Sequence, residues 1–282
     1  MTTFFPLKAL VVILLCFLLP SSSAFNNSEK NPQNSEMKAW TCHGRNQKEL
    51  VERLCQASIV KTSVVKRTME MVDRSCYIPT NPYRDAPQAI GHGQTISAPH
   101  MHAHALEEIY PYLVGKKDLK VLDVGCGSGY LTTALGRCLE LLKEQNVRPD
   151  TQKCESASVL GIDVHQYLID LTRENMNKAD SDLLDSRTVR IALKDGWKGW
   201  KEEAPFDAIH VGAAADSLPE QLLNQLKVGG VMIIPIGPQS QVQNLYKIER
   251  LKQTEEGSQS YHSDDFRATE LLGVRYVPLI RP

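Results

Sequence analysis

An excess of charge of either sign is what this chain most plainly lacks. Its 32 Lys plus Arg stand against 33 Asp plus Glu, a formal net charge of -1 over 282 residues, and no lysine-arginine run breaks that balance. A basic field able to hold nucleic acid or an anionic membrane is therefore excluded. Missing as well are a C-x-x-C pair among the seven cysteines, an H-E-x-x-H signature, a G-x-S-x-G elbow and any internal repeat. The first three absences argue against a paired-thiol zinc site, a helical zinc protease site and a serine hydrolase nucleophile. With 42% hydrophobic and 23% charged residues, disordered and collagen-like classes are out too.

Long apolar runs are equally scarce. The longest, "ALVVILLCFLLP" (Ala9 to Pro20), follows Lys8 and precedes the small residues Ser22-Ser23-Ala24. That is the pattern of a secretory signal cleaved after about Ala24, and the run is too short for the roughly 20 residues of a spanning helix. No stable membrane span is expected once the signal is removed. Asn26-Asn27-Ser28 forms a glycosylation sequon in the polar stretch that follows. The expected location is thus the secretory pathway or outside the cell. Removing Cys16 with the signal leaves Cys42, Cys55, Cys76, Cys126, Cys138 and Cys154, which could pair in about 15 ways. Scattered buried thiols are the simpler reading, and Cys138 with Cys154 is the first pairing to test.

What is present divides the chain into a signal (1-24), a polar linker (25-40), an N-terminal helical cap (41-118) and a core (119-282). In the cap, "QKELVERLCQASIV" and "SVVKRTMEMV" carry apolar residues at helical spacing. The Pro-, Asn- and Asp-rich "DRSCYIPTNPYRDAP" then breaks the pattern. Next comes "GHGQTISAPHMHAHALEE", whose Pro99 suits the first turn of a helix running to about Leu113 with Ser97 near its N-cap.

From Leu119 onward short apolar runs alternate with helical patterns: "LKVLDVG", a helix to about Leu142, "ASVLGIDV", a helix from His165 to Lys178, "TVRIAL", "FDAIHVGAA", a helix around Leu218 to Leu226, and "GGVMIIPIG". Such alternation implies an α/β fold with a doubly wound, mostly parallel sheet covered on both faces. "NLYKIERLK" and "TELLGVRYVPL" add an antiparallel closing pair at the sheet edge. The long "ELLKEQNVRPDTQKCESAS", part of Glu140 to Ser158, reads in its middle as a surface insertion.

The core opens on a nucleotide-type loop. "VLDVGCGSGY" is a strand ending in Asp123, then Gly125, Gly127, Ser128 and Gly129, then a helix. A dinucleotide loop would be G-x-G-x-x-G. Here the spacing is G-x-G-x-G with a carboxylate just ahead, which suits S-adenosylmethionine, a cation without phosphate, and not a pyrophosphate. Asp163 ends the second strand, where an acidic side chain can accept both ribose hydroxyls. Asp195 and Gly196 end the third, within reach of an adenine amino group. The expectation is a Rossmann-like, class I S-adenosylmethionine-dependent methyltransferase fold. A nicotinamide-dependent dehydrogenase is disfavoured by the glycine spacing.

"APQAIGHGQTISAPHMHAHALE", "VLDVGCGSGYLT", "APFDAIHVGAAA", "LPEQLLNQLKVGG" and "VRYVPL" together closely resemble the protein-L-isoaspartate(D-aspartate) O-methyltransferase family, over about Lys48 to Leu279. The resemblance implies methyl transfer from S-adenosylmethionine to the free α-carboxylate of L-isoaspartyl residues in damaged proteins. It implies that Gln94, Thr95, Ile96, Ser97 and His102 line the meeting place of cofactor and substrate, with Ser97 as the active-site serine. Isoaspartyl proteins and peptides are the implied partners, without nucleic acid or a metal. It also implies a cytosolic monomer, against the signal-like N-terminus.

A peptide carboxylate with a pKa near ~4 is ionised at neutral pH and needs no general base. Ser97 would therefore orient, not attack. His100 and His104, spaced i and i+4, could hold a metal but lack a third ligand in sequence reach. His210 reads as a structural residue near a strand end. The resemblance also marks a departure: where family members continue with a Thr and a charged tail, this chain has Ile280 and runs to Pro282, which weakens the expected closure over the cofactor. Two rival readings follow, a non-catalytic sensor of isoaspartyl proteins and a methyltransferase of the same fold acting on another carboxylate.

Overall fold

The computed structural model describes residues 42–144, 153–239, 241–252 and 265–281. The expected signal, the sequon, Cys16 and the middle of the expected insertion lie outside the described residues. Both expected cap helices are present: α1 (Gln47–Gln56) and α2 (Ser63–Met71). Asn46 caps α1 by accepting the Glu49 amide at 2.9 Å, and Leu50, Val51 and Leu54 are its buried stripe. Val64, Val65, Thr68 and Met69 play that part in α2, so each helix buries one face against the core.

Between cap and core the structure adds an element the sequence reading left out, a two-stranded hairpin of β1 (Gln88–Gly91) and β2 (Gln94–Ile96). Its turn is His92-Gly93, with φ of 51° and 72°, the paired left-handed residues that suit the twist of a two-residue hairpin loop. Strands this short carry too few alternations to be read from sequence. Helix α3 (Pro99–Ile109) follows with Pro99 in its first turn. Its N-cap is Ala98, with no side-chain cap, so Ser97 stands one residue before it as expected. Beyond Ile109 the chain tightens into a 3-10 turn over Tyr110–Tyr112.

The remaining elements are β3 (Asp118–Val124), α4 (Tyr130–Glu144), β4 (Ser156–Asp163), α5 (Gln166–Ala179), α6 (Ser181–Asp185), β5 (Val189–Leu193), β6 (Phe206–Val211), α7 (Glu220–Leu223), β7 (Leu226–Ile236), β8 (Gln243–Arg250) and β9 (Phe266–Val274). The expected helix from Leu218 to Leu226 is thus only one turn, because Leu226 already pairs with Phe206 at the start of β7.

Among the described residues seven strands form one sheet in the order β5-β4-β3-β6-β7-β8-β9. The strands β5 to β7 run parallel, and β8 and β9 close the edge antiparallel. Strand β6 is buried at every position and β3 at its last four, the near-continuous burial of strands covered on both faces. Edge strand β9 is mostly exposed.

The chain runs outward from β3 to β4 to β5 and then returns to β6 on the other side of β3. That reversal opens a crevice beyond the carboxyl ends of β3, β4 and β6. One apolar cluster runs from Leu50, Val65 and Leu106 through Leu135 and Val159, so cap and sheet share a core. Cys42, Cys55, Cys76, Cys126, Cys138 and Cys154 are free. The pairing of Cys138 with Cys154 is therefore not formed; both are buried thiols within that cluster. Among the described residues no helix is long and apolar enough to cross a membrane.

Candidate active site

The loop between β3 and α4 is built mainly from backbone. Gly125, Gly127 and Gly129 have φ of 79°, 57° and 93°, a conformation that side-chain-bearing residues adopt only with strain. The amides of Gly125 and Cys126 both donate to the Ile162 carbonyl, at 2.8 and 3.0 Å, tying the loop to the end of β4. From α5, Thr172 Oγ1 donates to the Gly127 carbonyl at 2.9 Å and Asn175 Nδ2 to the Ser128 carbonyl at 3.0 Å. A Cβ on Gly129 would stand 2.8 Å from Thr172 Cγ2, so glycine is needed there for space as well as for φ.

This loop forms one wall of an open cleft. Gln94 and Thr95 from the hairpin, Gly125 and Gly127 from the loop, Asp163 from β4, and Gly196 all line it. Of the residues expected to bind cofactor, these six meet in one place. Asp163 is nearly buried and each of its oxygens accepts a backbone amide, from Gly127 at 3.2 Å and His165 at 3.1 Å. Burial raises its pKa while these amides lower it, and burial prevails. A fixed acceptor carboxylate at a strand end is suited to a vicinal diol.

Ile96, Ser97, His102, Asp123, Ser128, Gly129 and Asp195 do not line that cleft. Asp123 was expected to face a cationic ligand. Instead it is 1% exposed, accepts Thr132 Oγ1 at 2.5 Å and pairs with His210 Nδ1 at 2.8 Å, so it braces the start of α4 and the end of β6. Asp195 accepts the Trp197 amide at 3.0 Å and pairs with Lys198 at 3.2 Å, closing the turn that presents Gly196. The cleft also has walls that sequence reasoning missed, Ile90, His165, Leu168 and Gly212, and it is lined as well by the terminal segment Val277 to Ile280. A hint for His165 and Leu168 lay in their position just past Asp163.

The terminal segment is held to the sheet and to Trp197 by its backbone. The Ala214 amide donates to the Val277 carbonyl at 2.8 Å and the Leu279 amide to the Ala214 carbonyl at 2.7 Å. Trp197 Nε1 donates to the Leu279 carbonyl at 3.0 Å, and Arg281 lies 3.6 Å over the Trp197 ring. Leu279 packs so tightly that a Cβ on Gly196 would fall 2.9 Å from its Cδ1. Val277 to Ile280 thus form a docked wall of the cleft.

Beside the cleft, two residues after Thr95, stands a second cluster. Ser97 is half-buried and its carbonyl accepts Arg74 Nη2 at 2.6 Å; burial pushes the Tyr276 hydroxyl up to about 12. His102 is buried, with Nδ1 3.0 Å from Arg74 Nη1 and its ring 4.9 Å from that of Tyr130. Burial first, and the Arg74 charge second, hold this imidazole well below its ordinary pKa and so neutral. His100, weighed with His104 as a metal ligand, bonds Asp85 Oδ1 through Nδ1 at 2.8 Å. Among the described residues no three His, Cys, Asp or Glu side chains gather as a metal site.

Residues 45–281 match the family model described as protein-L-isoaspartate(D-aspartate) O-methyltransferase. A relative of that name from Triticum aestivum is 39% identical over 82% of this chain and 89% of its own length. One from Caenorhabditis elegans is 39% identical over 70% of this chain and 81% of its own. Among solved structures, a Plasmodium falciparum chain described as a protein-L-isoaspartate O-methyltransferase in complex with S-adenosyl-L-homocysteine superposes with a TM-score of 0.70. It is 34% identical and covers 85% of this chain and 100% of that one.

Proposed function

The chain belongs to the protein-L-isoaspartate(D-aspartate) O-methyltransferase family, and from that premise we infer an S-adenosylmethionine-dependent enzyme that methyl-esterifies the free α-carboxylate of L-isoaspartyl residues in damaged proteins. The observation that carries this reading is the meeting of the glycine loop, Asp163 and Gln94-Thr95 at one cleft, with Ser97 two residues after Thr95. S-adenosylmethionine, when bound, supplies an activated methyl group.

The residues present fit that group. Asp163 offers fixed acceptors for a ribose, its backbone-held oxygens already partly turned from water. The glycines let the loop backbone approach closely, and Leu279 with Ile280 give an apolar wall. The Gly196 turn, shaped by Asp195, faces the same space. On the substrate side the nucleophile is a carboxylate already ionised at neutral pH, so no side chain has to remove a proton. Ser97 is then left to orient that carboxylate through its hydroxyl. Alignment and exclusion of water supply the rate.

The test uses radiolabelled S-adenosylmethionine and two peptides that differ only in L-isoaspartate against L-aspartate, scored for base-labile methyl ester. Label on the isoaspartyl peptide alone is the expected outcome. Cofactor binding without label on either peptide would overturn the enzyme reading in favour of a sensor or another carboxylate substrate.

A further inference from the structure

Arg74 is the one part of the site that chemistry alone does not account for. It sits on a 3-10 turn, Arg74–Cys76, and is 0% exposed. Among the described residues no carboxylate forms an ion pair with it. The one carboxylate that acts on its charge is Asp85, whose oxygens already take His100 and the Cys42 amide. Burial pulls the guanidinium down to about 10, which leaves it charged at neutral pH. Its Nε has no partner. A buried cation so poorly compensated costs stability.

What it holds is specific. Nη2 grips the Ser97 carbonyl and Nη1 the His102 ring, while the guanidinium lies 5.1 Å over the Tyr130 ring. The Arg74 amide donates to Gln47 Oε1 at 3.2 Å, and Gln47 Nε2 is anchored on the Met69 carbonyl at 2.6 Å. A guanidinium can only donate, so His102 Nδ1 must be an acceptor and the neutral ring carries its proton on Nε2. The cationic face thus stands immediately behind Ser97.

We propose that Arg74 is the positioning and charge-selecting residue of the substrate side. It fixes the Ser97 main chain and the His102 tautomer, and its unpaired charge favours a carboxylate over a neutral group at Ser97. This rests on the reading of Ser97 as the carboxylate's partner. The bound anion supplies the countercharge that the folded chain withholds, which gives a stability cost a functional return.

The experiment uses the full chain loaded with S-adenosylhomocysteine and measures binding of an isoaspartyl peptide and of the same peptide with an α-carboxamide. In Arg74→Met the preference for the carboxylate falls about tenfold, as expected for one charge removed from a partly buried site. Arg74→Lys recovers part of it, and S-adenosylhomocysteine affinity is unchanged in both. Equal weakening of both peptides and the cofactor would overturn the proposal and leave Arg74 a packing residue. Should Arg74→Met not fold, Arg74→Lys and nitrogen NMR of wild-type His102 decide: an Nε2-protonated ring supports the proposal and an Nδ1-protonated ring overturns it. If the wild-type chain binds neither peptide, the substrate reading falls, while the His102 tautomer still decides what Arg74 holds.

Discussion

The cofactor cleft and the cluster behind Ser97 lie side by side and are built by different means. The cleft is made largely of backbone: loop amides bonded to the end of β4, a carboxylate seated on two amides, and a terminal segment held by main-chain bonds at Ala214. The cluster is made of side chains brought together from far apart, Gln47, Arg74, His102 and Tyr130. The cleft takes a ligand whose shape is constant, so fixed amides and glycines suffice. The cluster has to receive a carboxylate carried by proteins of any sequence, and it offers charge and orientation in place of a shaped wall.

The sharpest way to break this contrast is Gly129→Val. The φ of 93° and the approach to Thr172 together predict a loss of about 4 kcal/mol or more in stability, read as a melting temperature lower by about 10 °C. A variant of wild-type stability would mean that the cleft wall yields as side chains do.

Next in size is Asp163→Asn. Losing a charged acceptor at the ribose position should weaken S-adenosylhomocysteine binding by about 100-fold, equivalent to two charge-assisted hydrogen bonds, in a calorimetric titration. The apo protein should respond in the opposite sense. The folded state raises the pKa of Asp163 by burial, so between the unfolded and folded values the native state binds more protons and stability falls as pH rises. At neutral pH the asparagine variant therefore gains slightly, by about 2 °C in melting temperature, and this gain disappears well below pH 4. A variant that loses stability at neutral pH would show that the amides from Gly127 and His165 outweigh the burial.

The smallest effect belongs to Ser97→Ala. Turnover on an isoaspartyl peptide drops about tenfold, the scale of one orienting hydrogen bond, and S-adenosylhomocysteine binding is unchanged. Loss of cofactor binding would move Ser97 from the cluster to the cleft and erase the distinction between them.

The unequal legibility of the two regions has the same origin. The glycine loop, Asp163 and the alternation of strands and helices could be read because each is local: a glycine spacing, an acid at a strand end, a hydrophobic period. The hairpin β1–β2 escaped because three- and four-residue strands hardly alternate. Asp123 was misplaced because its position at the end of β3 is shared with true ligands, and only the packing of α4 and β6 turns its carboxylate toward Thr132 and His210. Arg74 drew no notice because an arginine between Asp73 and Ser75 reads as a solvated turn.

By itself, then, the amino-acid order determined the parallel sheet, the cofactor loop and the segment carrying Ser97, since backbone conformation and hydrophobic period depend on neighbours along the chain. Tertiary structure alone decided which carboxylate faces the cleft, that Val277 to Ile280 line one side of it, and that a cation lies buried behind Ser97. Burial and charge compensation are properties of what meets in space, and residues 28 positions apart, Arg74 and His102, acquire them only when the chain has folded.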